Sequence, residues 1–210
     1  MSRMILAGAV AGLVGAAGIA AAAQIKLSDG TELQGEIVQR EGARVLVELP
    51  RASIQAVDGQ PLPPPVAEGA PVPAFDAVDV AGQPVQVSAA GGPVTLVQFW
   101  ASWCGFCRSD LPTMKRLYAD YRDKGLRIMT VSIDDDLDKL RRFIQAEAVP
   151  YPVIPAKNYP ALSDRFEMQG IPTYFLVDRH GTIVRVWRGA LSSSKISISD
   201  EVAAVLDNPS

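Results

Sequence analysis

Histidine and cysteine are nearly absent: 210 residues hold one His, His180, and two Cys, Cys104 and Cys107. Four nitrogen or sulfur ligands for a tetrahedral zinc site cannot be gathered from that set, and without a second His the chain is a poor copper carrier. Positive charge is also short, with 20 Lys and Arg against 23 Asp and Glu and a net charge of -3. No basic cluster marks a nucleic-acid footprint or an anionic membrane surface. Residues 24 to 58 contain no His, no Cys and no aromatic residue, so chemistry is not expected there. What remains is a chain with 48% hydrophobic residues, enough for one ordinary domain plus something small.

Residues 1 to 23 read as a secretory signal peptide. Arg3 precedes an uncharged stretch from Met4 to Ile19, and Ala21-Ala22-Ala23 supplies a small-residue cleavage pattern before Gln24. The alternative is a retained anchor over residues 4 to 23, since the stretch approaches the ~20 residues that span a bilayer. Either reading places the body of the protein outside the cytoplasm, in the periplasm or an equivalent compartment where disulfides persist.

Residues 24 to 58 alternate in short strand-like runs, Ile25 to Leu27, Glu36 to Arg40 and Arg44 to Leu49, with Asp29-Gly30 and Glu41-Gly42 as turns. They predict a small all-β unit, loosely similar to SH3-like barrels, that serves docking or oligomerisation. Eight Pro and Gly residues in 59 to 73 predict an extended spacer. From residue 74 to 207 the pattern becomes α/β. Strands are expected near 76 to 80, 84 to 88, 94 to 100 and 126 to 132, then as a hairpin over 173 to 187 across Asp178-Arg179-His180-Gly181. Helices are expected after Cys104 to about Lys124, around Leu137 to Ile144, over 161 to 168 and near 199 to 206.

Both cysteines stand in Trp103-Cys104-Gly105-Phe106-Cys107, directly after the apolar run Val94 to Phe99. Leu111, Met114, Leu117, Tyr118 and Tyr121 follow at helical spacing, so the pair sits where a strand turns into a helix. Cys104 then lies among the free N–H groups of the first turn, which favour a thiolate and lower a thiol pKa from its free value of ~8.5. Two cysteines at this spacing form a dithiol/disulfide centre rather than a structural staple.

Trp103-Cys104-Gly105-Phe106-Cys107, Pro112, Val131-Ser132-Ile133-Asp134 and Gly170-Ile171-Pro172-Thr173 together resemble the thioredoxin fold. More closely, the chain is similar to the TlpA/ResA group of extracytoplasmic thiol-disulfide oxidoreductases from about Ala70 to Asp207. The resemblance implies a central mixed β-sheet flanked by helices, with Cys104 as nucleophile and Cys107 as the resolving thiol. It implies a cis Pro172 facing the disulfide, and an Ile171 backbone that pairs with an extended substrate segment. A cis bond before proline costs about 1 kcal/mol against about 3 elsewhere. Trp103 is expected to border the substrate, and Phe106 to offer it apolar area. No cofactor beyond the disulfide is implied. The expected partners are protein thiols and disulfides, and a membrane thiol-disulfide electron donor.

Two departures concern the proton. Many thioredoxins carry an acid in the core strand two residues before its Trp, where this chain has Gln98, a neutral amide that cannot take a proton from Cys107. The TlpA/ResA group commonly has a glutamate three residues after the second cysteine, where this chain has the shorter Asp110. Asp110 reads either as a proton-handling group or as an acid favoured by the helix dipole in the first turn. The expected activity is reduction of client disulfides, for example in cytochrome c or copper-site assembly. Oxidation or isomerisation of folding proteins is the alternative, since Gly105-Phe106 resembles the dipeptide of some disulfide isomerases.

Overall fold

The computed structural model describes residues 66–87 and 91–208 throughout and, before them, the backbone of six strands. The chain divides into two units, Met1–Pro63 and Pro64–Ser210.

In the first unit β1 (Ser2–Leu6), β2 (Ala22–Lys26), β3 (Glu32–Glu41) and β4 (Arg44–Leu49) make an antiparallel sheet in the order β1-β4-β3-β2. The short strands β5 (Ala56–Val57) and β6 (Gln60–Pro61) pair separately. Strands expected near residues 25, 36 and 44 fall on β2, β3 and β4. Of the expected signal segment, Ser2–Leu6 and Ala22–Ala23 are instead strand residues of this sheet, ahead of the expected start of the β unit at residue 24, and residues 1 and 7–21 lie outside the described residues. Among the described residues no helix is long and apolar enough to cross a membrane.

The second unit opens on residues that the proline content marks as spacer. Val66 and Val72 are instead buried, Gly69 N–H donates to the Ile183 carbonyl at 2.8 Å, and Val72 N–H donates to Gly181 at 2.8 Å. The second half of the 59–73 stretch therefore lies along the edge of this unit's sheet. A hairpin follows, β7 (Phe75–Val78) and β8 (Pro84–Val87). After it come β9 (Val94–Trp100), α1 (Gly105–Tyr121), β10 (Leu126–Ser132), α2 (Leu137–Ala146), β11 (Val153–Pro155), α3 (Ala161–Arg165), β12 (Thr173–Val177), β13 (Ile183–Arg188) and α4 (Ile198–Asp207).

Five strands form one mixed sheet in the order β11-β10-β9-β12-β13, with β9, β10 and β11 parallel and β12 and β13 antiparallel to their neighbours. Parallel neighbours need a crossover, which α1 and α2 supply. All seven residues of β9 are buried, because both faces of the central strand are covered. Val94 and Leu96 pack with Leu111, Met114 and Leu117 of α1 and Val202 of α4. Val97 and Phe99 point the other way, into a cluster with Phe75 and Phe166. The period of two along the strand thus sorts its side chains onto opposite layers. Asp136 caps α2 by accepting from Asp138 N–H and Lys139 N–H.

Candidate active site

The end of β9 delivers the chain to the cysteines. After Trp100 the backbone turns, Cys104 N–H donates to the Ala101 carbonyl at 3.1 Å, and Cys104 becomes the cap of α1. Its Sγ accepts from Cys107 N–H at 3.3 Å, so one of the helix's unsatisfied donors points at the sulfur. Cys104 and Cys107 are joined as a disulfide with Cα atoms 5.2 Å apart. Cys104 keeps more of its surface, 7% against 2% for Cys107. Around this nearly covered pair two large apolar side chains stand in solvent, Trp103 at 65% and Phe106 at 68% exposure.

Pairing of β12 with β9 sets Thr173 opposite Phe99, which brings the residues just before β12 beside the cysteine loop. The Ile171–Pro172 peptide bond is cis. Pro172 is buried, and half-buried Ile171 packs against the cluster that contains Trp100, Cys104 and Cys107. Gly189 N–H donates to the Pro172 carbonyl at 2.8 Å, and Thr173 Oγ1 donates to the Gly170 carbonyl at 2.8 Å, fixing this segment from both sides.

Two buried carboxylates hold the site, and only one of them carries an expectation from sequence. Asp134, 4% exposed, accepts from Ser102 N–H at 2.8 Å, Ser102 Oγ at 2.6 Å and Ser132 Oγ at 2.6 Å. It ties the loop before Cys104 to the end of β10. Asp110, 3% exposed, belongs to the buried face of α1 with Cys107. No acid occupies the first turn of α1, so the dipole reading of Asp110 does not hold: the residue stands in the second turn. Its Oδ2 accepts from Tyr174 OH at 2.7 Å and from Leu191 N–H at 2.9 Å. Gln98, opposite Tyr174 in the sheet, donates through Nε2 to the tyrosine oxygen at 3.3 Å. Burial first, and then the bond to Asp110, push the Tyr174 phenol far above its ordinary value.

A family model described as Redoxin matches residues 67–203. The chain belongs to the Redoxin family. It is similar to the thiol-disulfide oxidoreductase ResA of Bacillus subtilis, 27% identical over 62% of this chain and 73% of the relative. The ResA of Oceanobacillus iheyensis is 32% identical over 53% of this chain and 58% of the relative. Among solved structures, a thiol:disulfide interchange protein of the thioredoxin family from Chlorobium tepidum superposes with a TM-score of 0.59 at 28% identity, covering 67% of this chain and 98% of that one. This Redoxin is a thioredoxin-like thiol-disulfide oxidoreductase of the TlpA/ResA type.

In this Redoxin the arrangement suits thiol-disulfide exchange, which needs an attacking thiolate, a second thiol within one helical turn and an approach for the partner's sulfur. Cys104 and Cys107 stand one helical turn apart, with the Cys107 N–H directed at the Cys104 sulfur. Of the other residues expected from sequence, Ile171 and Pro172 lie beside the cysteines, Trp103 and Phe106 flank them in solvent, and Asp110 is buried behind them. Ser102, Ser132, Asp134 and Tyr174 carry no role in the sequence reading. A pair of polar tips, Gln98 and Tyr174, in the middle of mostly apolar strands was the available signal for Tyr174.

Proposed function

We propose that this Redoxin reduces disulfides of client proteins outside the cytoplasm, for example in cytochrome c or copper-site assembly, and is itself re-reduced by a membrane thiol-disulfide donor. The observation that carries the reading is the exposed Trp103 and Phe106 around a cysteine pair that is itself nearly covered. Such a centre engages a partner that brings apolar surface to it, and a folded or extended protein segment does so. Cys104 attacks the client disulfide and forms a mixed disulfide, while the backbone at Ile171 receives the client chain as a strand. Cys107 then attacks Cys104, and the client leaves reduced. The dithiol carries both electrons, so no further cofactor enters. Residues 1 to 23 act as the export signal or anchor, and the N-terminal β unit docks or oligomerises the chain.

Trapping the cellular thiol state by alkylation tests the direction. A pool mostly reduced at Cys104 and Cys107 is expected. A fully oxidised pool refutes reduction as the role and favours the oxidant or isomerase reading that the Gly105-Phe106 dipeptide suggests. Cys107→Ser is expected to hold a client on Cys104 as a stable mixed disulfide, whose identification names the substrate.

A further inference from the structure

Resolution of the mixed disulfide requires Cys107 to lose a proton inside the protein, since the residue is 2% exposed. Asp110 is three residues further along the same buried helix face, where side chains one turn apart are neighbours. Both hydrogen bonds that its carboxylate receives from the described residues fall on one oxygen, Oδ2. The donor from Leu191 is backbone and fixed. The donor from Tyr174 is directed, because a phenol has a single O–H and its oxygen already accepts from Gln98 Nε2.

We propose that Tyr174 is a positioning residue of the redox centre: by pinning Oδ2 of Asp110 it leaves Oδ1 to accept the Cys107 proton during resolution. The inference rests on the exchange chemistry of the preceding subsection and adds a group that acts through Asp110. In the step, the Cys107 proton passes to Asp110 Oδ1, directly or through one water, and the Cys107 sulfur attacks the Cys104 sulfur. The bond between Cys104 and the client sulfur breaks as the Cys104–Cys107 bond forms. The two cysteines are oxidised, the client sulfur takes the electron pair and leaves as a thiolate, and the proton on Asp110 returns to solvent. Gln98, unable to act as a base, serves instead to aim the Tyr174 hydroxyl.

Rapid mixing of the reduced full chain with dithiobis(nitrobenzoate) separates the two steps, since Cys104 attack releases the first thionitrobenzoate and Cys107 resolution the second. Tyr174→Phe keeps the ring and removes the hydroxyl. It is expected to slow the second release about tenfold, within what one hydrogen bond to a charged group contributes, and to change the first less than twofold. Asp110→Asn is expected to slow the same step, and the double variant to be no slower than Asp110→Asn alone. Urea unfolding followed by tryptophan fluorescence reports separately that each variant is folded, since Trp100, Trp103 and Trp187 all lie in the second unit. Equal slowing of both releases, an unaltered second release, or multiplied losses in the double variant would overturn the role of Tyr174. A wild-type chain that gives only the first release refutes the exchange reading itself, and this inference with it.

Discussion

Replacing Asp134 by alanine removes the acceptor for three hydrogen bonds that anchor the loop ahead of Cys104. The three donors are not equivalent. Ser102 N–H is fixed in the backbone, whereas the hydroxyls of Ser102 and Ser132 can rotate toward other acceptors. Counting the fixed donor at about 2 kcal/mol and each hydroxyl at about 1 kcal/mol puts the loss near 4 kcal/mol. For a unit of this size that corresponds to a fall in Tm of about 8–16 °C. Asn at the same position keeps a carbonyl oxygen for Ser102 N–H and Ser132 Oγ, and its amide can donate to a reversed Ser102 hydroxyl. Asp134→Asn therefore loses only charge assistance, about 1–2 kcal/mol. Urea unfolding followed by tryptophan fluorescence is the assay, because Trp100, Trp103 and Trp187 all belong to the second unit and report on it alone. An Asp134→Ala protein within 1 kcal/mol of wild type, or an Asn variant as unstable as the Ala variant, would refute the clamp.

Trp103→Ala and Phe106→Ala remove exposed side chains, so each is expected to leave stability within about 0.5 kcal/mol of wild type. Steady-state reduction of insulin should show KM rising, while the rate with a small aromatic-free disulfide stays the same. Phe166 is 1% exposed and its ring meets Phe75, Phe99 and Phe175, so Phe166→Ala is expected to cost about 3–5 kcal/mol in the same unfolding assay. The Asp136 carboxyl is held below its ordinary value, chiefly by the Lys139 N–H at the start of α2. A depressed folded value stabilises at pH above the unfolded carboxylate range near 4, and that contribution is lost as pH falls through the folded value. Asp136→Asn keeps a capping acceptor, so it should match wild type near neutrality and show a flatter decline of the urea midpoint between pH 4 and 2.

The sheet and the cysteine helix were legible because their signals are periodic and local. Val94 to Trp100 is a run too apolar for a half-exposed strand, and Leu111, Met114 and Leu117 repeat at helical spacing, so β9 and α1 could be placed before any contact was known. Residues 66 to 73 were not legible in the same way. Proline and glycine mark where regular structure stops, not whether a segment is buried, and Val66 and Val72 are the only large apolar residues among them. Of the site, Cys104, Cys107, Ile171 and Pro172 are carried by short motifs, and the fold brings them together. Asp134 meets Ser102 across 32 residues, and Asp110 meets Tyr174 across 64. No spacing rule reaches that far. Gln98 and Tyr174 were the partial exception, since two polar tips in core strands imply a partner even when the partner cannot be named.

The strap over residues 67 to 72 leaves the five-stranded sheet without an inviting border. Along β13, Gly69 and Ala70 exchange backbone bonds with Ile183, and the Val186 N–H is taken by the Glu68 carboxylate. At the opposite border β11 is three residues long, ends in Pro155, and has its Val153 carbonyl occupied by Val80 N–H. An open strand border invites other chains to pair with it edge to edge. Here a strand-like segment of another chain meets closed margins on both sides of the sheet.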